Sequence, residues 1–245
     1  MNIQDQITLV TGSSTGIGAA IAKAFAEQGA DIVVNYAQDE TGAQCTVKAI
    51  KDIGREAVAI QADVSSAQQV QRMFDQIGER FGRLDILVNN AGISPKKPFE
   101  EIEEYDWDRI IDTNLKSVFL CTKHALPLMK QGGAILNISS VHATTTMPNC
   151  AVYAASKGGL ESLTRGLAID LAAQSIRVNA IRPGLIEVER EPLDRNDPAL
   201  EMICQRIPAG RPGRVDDIVG MAVCLCSGDA GFITGQVVAI DGGQQ

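Results

Sequence analysis

Residues 7–30 read ITLVTGSSTGIGAAIAKAFAEQGA. Ile7 to Val10 is a short apolar, partly β-branched run of strand length, and the alanine-rich stretch from Ala19 onward has helical periodicity. Between them, Gly12, Gly16 and Gly18 let the backbone turn sharply and approach a bound group closely. Strand, glycine-rich turn and helix in this order place a pyrophosphate on the positive end of the helix. Gly12, Ser14, Thr15, Gly16, Ile17 and Gly18 are therefore candidate dinucleotide contacts. Glycines also serve turn geometry alone, so the flanking elements give the motif its weight.

The same alternation continues outward. Ile32 to Val34, Val58 to Ile60, Ile86 to Val88, Ile135 to Ile138, Val178 to Ile181 and Val237 to Ile240 are strand-like, and helical patterns separate them. Parallel neighbours need crossover connections, and these are right-handed. The expected fold is thus α/β, a doubly wound, Rossmann-like parallel sheet of about seven strands. A chain of 245 residues without repeats, low-complexity tracts or a linker is expected to form one domain over 1–245. One stretch is irregular: 183–212, PGLIEVEREPLDRNDPALEMICQRIPAGRP, holds five of the nine prolines and dense charge. A substrate lid at about 185–212 is the expectation.

Composition narrows the partners. Lys+Arg 22 against Asp+Glu 30 gives a net charge of -8, which repels nucleic acid and anionic bilayers. The opening MNIQDQITLVTG carries no signal-like basic and apolar blocks, and no run reaches membrane-spanning length, so a cytoplasmic location is expected. Cys45, Cys121, Cys150, Cys204, Cys224 and Cys226 show no zinc spacing. They read as reduced core thiols, with no metal site.

The second strand ends in Val33-Val34-Asn35-Tyr36-Ala37, where a carboxylate would hold the ribose hydroxyls of NAD. Asn35 and Tyr36 stand there instead, and no Arg or Lys attracts a 2′-phosphate. The choice between NAD and NADP stays open, leaning to NADP or dual use. Farther on, Tyr153-Ala154-Ala155-Ser156-Lys157 opens a helix that continues through LESLTRGLAIDLA, so Tyr153 and Lys157 lie one turn apart on one face. An ammonium beside a phenol lowers its pKa from about 10 toward the range of a general base. Ser140 ends the strand ILNISS and could hydrogen-bond a reacting oxygen. Tyr-x-x-x-Lys alone occurs by chance on many helices.

Together TGSSTGIG, NNAG (Asn89 to Gly92), Asn114 in DTNL, Ser139-Ser140, YAASK, RPG and the terminal DGG resemble the classical short-chain dehydrogenase/reductase family, in order and spacing over essentially the whole chain. The resemblance implies an NAD(P)-dependent oxidoreductase that moves a hydride between nicotinamide and an alcohol or carbonyl. Tyr153 would be the acid/base and Ser140 would polarise the substrate oxygen. Lys157 would bind the nicotinamide ribose and tune Tyr153, and Asn114 would hold a water of the proton relay. Asn90, Ala91 and Gly92 would pass the adenine and ribose, Asp63 and Val64 would contact adenine, and Pro183, Gly184 and Ile186 would border the cofactor. One departure is Val188 in place of the family's cofactor-contacting threonine. The family also implies a homo-oligomer, a tetramer pairing through the helices after Trp107 and Tyr153.

Within the family, Ser140-Val141-His142 and VVNYAQDE resemble the glucose 1-dehydrogenase (aldose 1-dehydrogenase) branch. That implies oxidation of a sugar at C1 to a lactone, with His142, Glu187 and Arg190 reading hydroxyls while Ser140 and Tyr153 grip the reacting one. Arg182, Arg190 and Arg195 would suit an acidic sugar. His142 reads equally as an ordinary polar loop residue, and loop charges are usually only solvated. A 3-oxoacyl thioester reductase shares every catalytic residue and is the alternative. A non-catalytic nucleotide-bound regulator is a third reading; a chain that keeps Asn114, Ser140, Tyr153 and Lys157 together argues against it.

Overall fold

The strand-like runs pair as parallel neighbours in the computed structural model, which describes residues 3–129, 132–188, 193–194, 196 and 198–244. The chain forms β1 (Ile7–Val10), β2 (Asp31–Tyr36), β3 (Ala57–Gln61), β4 (Ile86–Asn89), β5 (Gly133–Ile138) and β6 (Ile176–Pro183). Two short strands, β7 (Ile186–Glu187) and β8 (Gly213–Arg214), make a separate parallel pair that the sequence did not announce. With β9 (Val237–Ile240) the main sheet has seven strands in the order β3-β2-β1-β4-β5-β6-β9, as expected of a doubly wound fold in one Rossmann-like domain.

Both faces of the sheet are covered. Successive strand residues point to opposite faces, so Val10, Val34, Val88 and Leu136 pack with α1 (Gly16–Glu27), α2 (Glu40–Asp52) and α8 (Val215–Cys226). Their neighbours Leu9, Val33, Leu87 and Ile135 pack with α3 (Ala67–Phe81), α5 (Ser117–Ala125) and α6 (Ala151–Asp170). Burial on two sides explains why the strands are apolar runs rather than alternating ones. The remaining helices are α4 (Glu104–Ile111), which runs through a π-turn at Asp112–Lys116 into α5, and α7 (Pro198–Gln205) within the irregular stretch. Of the six thiols, Cys121, Cys150 and Cys226 are buried, whereas Cys45 is exposed on α2, so the expectation of core cysteines fails there.

The strand order reverses between β1 and β4, where the loops leaving the two strands diverge and open a crevice at the carboxyl edge of the sheet. These loops are laced to each other. Thr11 Oγ1 accepts from Asn90 N (3.0 Å) and Ala91 N (3.1 Å), and Asn90 Nδ2 donates to Thr11 O (2.9 Å) and Gly12 O (3.0 Å). Gly12 adopts φ 61, and a Cβ there would lie 2.9 Å from Ala91 Cα, so only glycine fits. Deeper in, Asn89 Nδ2 donates to Asn137 Oδ1 (2.9 Å) and Asn137 Nδ2 to Thr164 Oγ1 (2.9 Å), which fastens α6 to the same edge.

Candidate active site

A cavity of about 410 Å³ opens at this edge, lined among others by Asn90, Gly92, Ser140, His142, Tyr153 and Lys157. Pro183, Gly184, Ile186 and Gln244 form its far wall. Ser140 sits two residues past the end of β5 rather than on it, at the start of a tight turn over Val141–Ala143, and its Oγ accepts from His142 N (3.3 Å). The turn brings the His142 ring edge-on to the Tyr153 ring, centroids 5.5 Å apart, with Nδ1 3.3 Å from Thr146 Oγ1. Burial, helped by Lys96, lowers the His142 pKa and keeps the imidazole neutral.

Tyr153 and Lys157 stand one turn apart near the start of α6, facing the cavity. Lys157 is 4% exposed and donates from Nζ to Ile138 O (2.7 Å). Burial brings its pKa down to about 8. The sequence expectation that Lys157 lowers the Tyr153 pKa is not met: burial raises the phenol, and the Ser140 hydrogen bond is what pulls it back. The reason is geometric, since Nζ faces the tyrosine ring 5.8 Å from its centroid and spends a proton on the strand carbonyl. Gly92 lies close to Asn114, where a Cβ would stand 3.3 Å from Oδ1, and the same Cβ would be in ordinary contact with Lys157 Nζ at 3.6 Å.

A longer groove of about 990 Å³ continues from the cavity across the carboxyl edge, lined by Gly12, Ser14, Thr15, Ile17, Gly18, Tyr36, Asp63, Val64, Ala91 and Gly92. It fits a dinucleotide on two grounds. The glycines bring backbone to its wall where a Cβ would collide, at Gly12 with Ala91 and at Gly18 with Asn90. The first turn of α1 holds no acidic residue and Thr15 makes no side-chain cap, leaving a helix N-terminus suited to phosphate. Gly16, also at positive φ, packs instead beside Val188, which lines the groove where the family's threonine would stand.

Several expected contacts lie elsewhere. Asn35 borders the groove but is buried, its Oδ1 accepting from Gly12 N (3.1 Å) and its Nδ2 donating to Ile60 O and Ala62 O. A buried amide satisfies itself on backbone, so Asn35 shapes the glycine turn rather than reaching a ligand. Asn114 is likewise committed, accepting from Ile93 N (2.8 Å) and donating to Ile93 O (2.9 Å) and Ser156 Oγ (3.1 Å). Glu187 lines a different groove, with Lys23 and Arg214 across α1, and is not among the residues around Ser140 and Tyr153. Arg182 is bound to Glu161 and is not offered to an acidic sugar. Arg190 and Arg195 lie outside the described residues. Conversely Gln244, missed in the sequence because a chain end carries no periodicity, lines the cavity with its Oε1 buried and without a hydrogen-bond partner among the described residues.

Comparison with known proteins matches this architecture. A family model described as enoyl-(acyl carrier protein) reductase matches residues 12–245. The chain is 41% identical to 3beta-hydroxysteroid dehydrogenase 1 of Eggerthella lenta over 99% of this chain and 94% of that one. It is 41% identical to the 3-oxoacyl-[acyl-carrier-protein] reductase FabG of Staphylococcus aureus, covering 96% of each, and 38% identical to glucose 1-dehydrogenase 2 of Bacillus subtilis, covering 99% and 95%. A short-chain dehydrogenase of Burkholderia cenocepacia, solved in complex with NADP, superposes with a TM-score of 0.94 at 34% identity over 100% of this chain and 99% of that one. With the fold, the crevice and the motifs in agreement, the chain belongs to the classical short-chain dehydrogenase/reductase family and is an NAD(P)-dependent oxidoreductase.

Proposed function

We propose that this enzyme oxidises a sugar at its anomeric carbon to a lactone. The observation that carries this reading is Gln244, a side chain in the wall of the cavity that holds Ser140 and Tyr153, whose buried Oε1 has no hydrogen-bond partner among the described residues. An unpaired buried acceptor costs roughly 1–3 kcal/mol, and a substrate rich in hydroxyl donors relieves that cost. The neutral His142 adds a second group suited to hydroxyls. A 3-oxoacyl thioester reductase is the second reading, favoured by the apolar part of the wall, Ile93, Met147, Leu185 and Ile203, and by the similarity to FabG.

In either reading bound nicotinamide supplies the hydride acceptor or donor. Ser140 holds the reacting oxygen by its hydroxyl, and Tyr153 moves the proton. Burial keeps the phenol protonated near neutrality, ready to donate to a carbonyl. For oxidation it must first release that proton, and the Ser140 hydrogen bond favours the release. Lys157, with a pKa of about 8, sits where it can pass a proton on. The stretch at about 185–212, which supplies Leu185, Ile186 and Ile203 to the wall, serves as the substrate lid.

Cofactor use leans to NADP or to both. The strand end offers the short Ala37, and the first carboxylate after it, Asp39, accepts from Gly42 N at the start of α2 (3.0 Å). The enzyme assembles as a homo-oligomer, a tetramer, as its family resemblance implies, and the exposed apolar side chains on α4, α5 and α6 suit such pairing: Trp107 at 45%, Phe119 at 50% and Ile169 at 78%.

Four measurements test these statements. A panel of aldoses with NAD and NADP, run beside acetoacetyl thioester with NADH and NADPH, is expected to show aldose oxidation with either cofactor. Gln244→Leu should then raise the sugar KM about 2- to 12-fold, the worth of one neutral hydrogen bond, with the cofactor KM unchanged. Thioester reduction without any aldose turnover replaces the sugar reading by the second one. Tyr153→Phe should lower kcat by about 10²- to 10⁴-fold with cofactor affinity preserved; near-normal turnover would remove Tyr153 from the mechanism. Light scattering should give a multiple of the 26.1 kDa chain mass, and a 26.1 kDa particle at micromolar concentration would contradict the assembly.

A further inference from the structure

Behind the cavity lies a largely buried ion pair that the chemistry above does not use, its carboxylate side chain 6% exposed and its guanidinium side chain 22%. Glu161 stands on α6 one turn beyond Lys157 and is 4% exposed. Arg182, near the end of β6, grips it with both arms of its guanidinium, Nε to Oε1 at 2.8 Å and Nη2 to Oε2 at 2.6 Å. The same carboxylate accepts from Ser139 Oγ at 2.9 Å. Ser139 is also bound through its backbone, donating from N to Ile181 O (2.7 Å).

Each of the three residues is a direct neighbour of the site. Ser139 precedes Ser140, Glu161 follows Lys157 by one helical turn, and Arg182 precedes Pro183 and Gly184 in the cavity wall. One carboxylate therefore joins the strand end that carries Ser140, the helix that carries Tyr153 and Lys157, and the start of the loop opposite them. A buried pair of this kind is not explained by stability, since desolvation offsets its attraction and apolar replacements of similar volume are often neutral or stabilising. What it supplies is geometry. The fork of an arginine fixes a carboxylate in plane and direction, and displacements of about 1 Å at reacting groups cost as much as about 10²-fold in rate.

We propose that Glu161 is a positioning residue of the reaction, which, held by Arg182 and bonded to Ser139, sets Ser140 against Tyr153. The proposal does not depend on which substrate is used. It rests on the reading that Ser140 and Tyr153 meet the reacting oxygen, and Tyr153→Phe tests that reading separately.

The test is the double variant Glu161→Leu/Arg182→Met, which removes both charges and keeps the volume, assayed with the best substrate of the panel above. Expected are a folded protein with an unfolding midpoint no lower than the parent's, KM and cofactor dissociation constants within about twofold, and kcat reduced by about 10- to 100-fold. Glu161→Gln/Arg182→Met, which restores an acceptor for Ser139 Oγ without the ion pair, should recover part of the lost kcat. A double variant with kcat within about twofold of the parent overturns the positioning role. So does one that no longer folds, which would assign the pair to stability, or a glutamine variant no faster than the leucine one. Unchanged kcat in the double variant beside an inactive Tyr153→Phe overturns this proposal alone and leaves the assignment of Tyr153 standing.

Discussion

A charged lysine inside the carboxyl edge of a parallel sheet is the constraint around which this molecule is arranged. Lys157 Nζ is surrounded by protein and donates to the carbonyl of Ile138, the last residue of β5. Withdrawing an ammonium from water is expensive unless it is paired, and here the compensation is a backbone dipole rather than a carboxylate. Beside it, the π-turn that follows α4 brings in Asn114, whose amide ties residue 93 to the helix. Such turns recur at functional sites because they re-aim side chains within a helix. The result is a cavity with two desolvated titratable groups, the phenol pushed up and the ammonium pushed down to about 8, so that the lysine becomes the stronger acid of the two.

Side-chain amides help to stiffen the sheet edge that carries these groups. Asn35, Asn90, Asn137 and Asn114 each spend their amides on backbone or on another side chain. A loop at the end of a parallel sheet has lost its ladder partners, and asparagine, with donors and an acceptor on a short stem, replaces them. The same cavity is also lined from other elements, by His142 on a turn, Ile203 on α7 and Gln244 after β9. Relatives named as a 3beta-hydroxysteroid dehydrogenase, a 3-oxoacyl-[acyl-carrier-protein] reductase and a glucose 1-dehydrogenase are similar to this chain at 38–41% identity, so likeness along the chain does not by itself choose a substrate.

What could be read in the sequence was local. Runs of three or four mostly β-branched and apolar residues announced each strand of the main sheet, because two-sided burial leaves little room for polar alternation. The glycine turn was legible because its chemistry is backbone chemistry, and the four-residue spacing of Tyr153 and Lys157 because a helix guarantees a shared face. What could not be read depended on partners distant in the chain. Glu161 and Arg182 are 21 positions apart, and without that pairing Arg182 looked available to a ligand. Asn35 looked like a cofactor contact until Gly12, Ile60 and Ala62 claimed its amide. The direction of the Tyr153 shift was misjudged for the same reason, since spacing along a helix tells which side chains are close but not how much water they lose.

The burial of Lys157 has a thermodynamic signature that needs neither substrate nor cofactor. Its pKa falls from 10.5 in the unfolded chain to about 8 in the fold, so between those values the unfolded state binds more protons and stability rises with pH. Below about pH 8 the ammonium is present in both states and the full penalty, about 3 kcal/mol, acts against the fold. Chemical denaturation of the parent and of Lys157→Met from pH 6 to 10.5 measures this directly. The methionine variant should be the more stable at pH 7, and its advantage should shrink steadily as pH rises through about 8. A variant less stable than the parent at pH 7, or a difference that does not change with pH, would show that the lysine is not held as a desolvated cation and would contradict the arrangement described for this site.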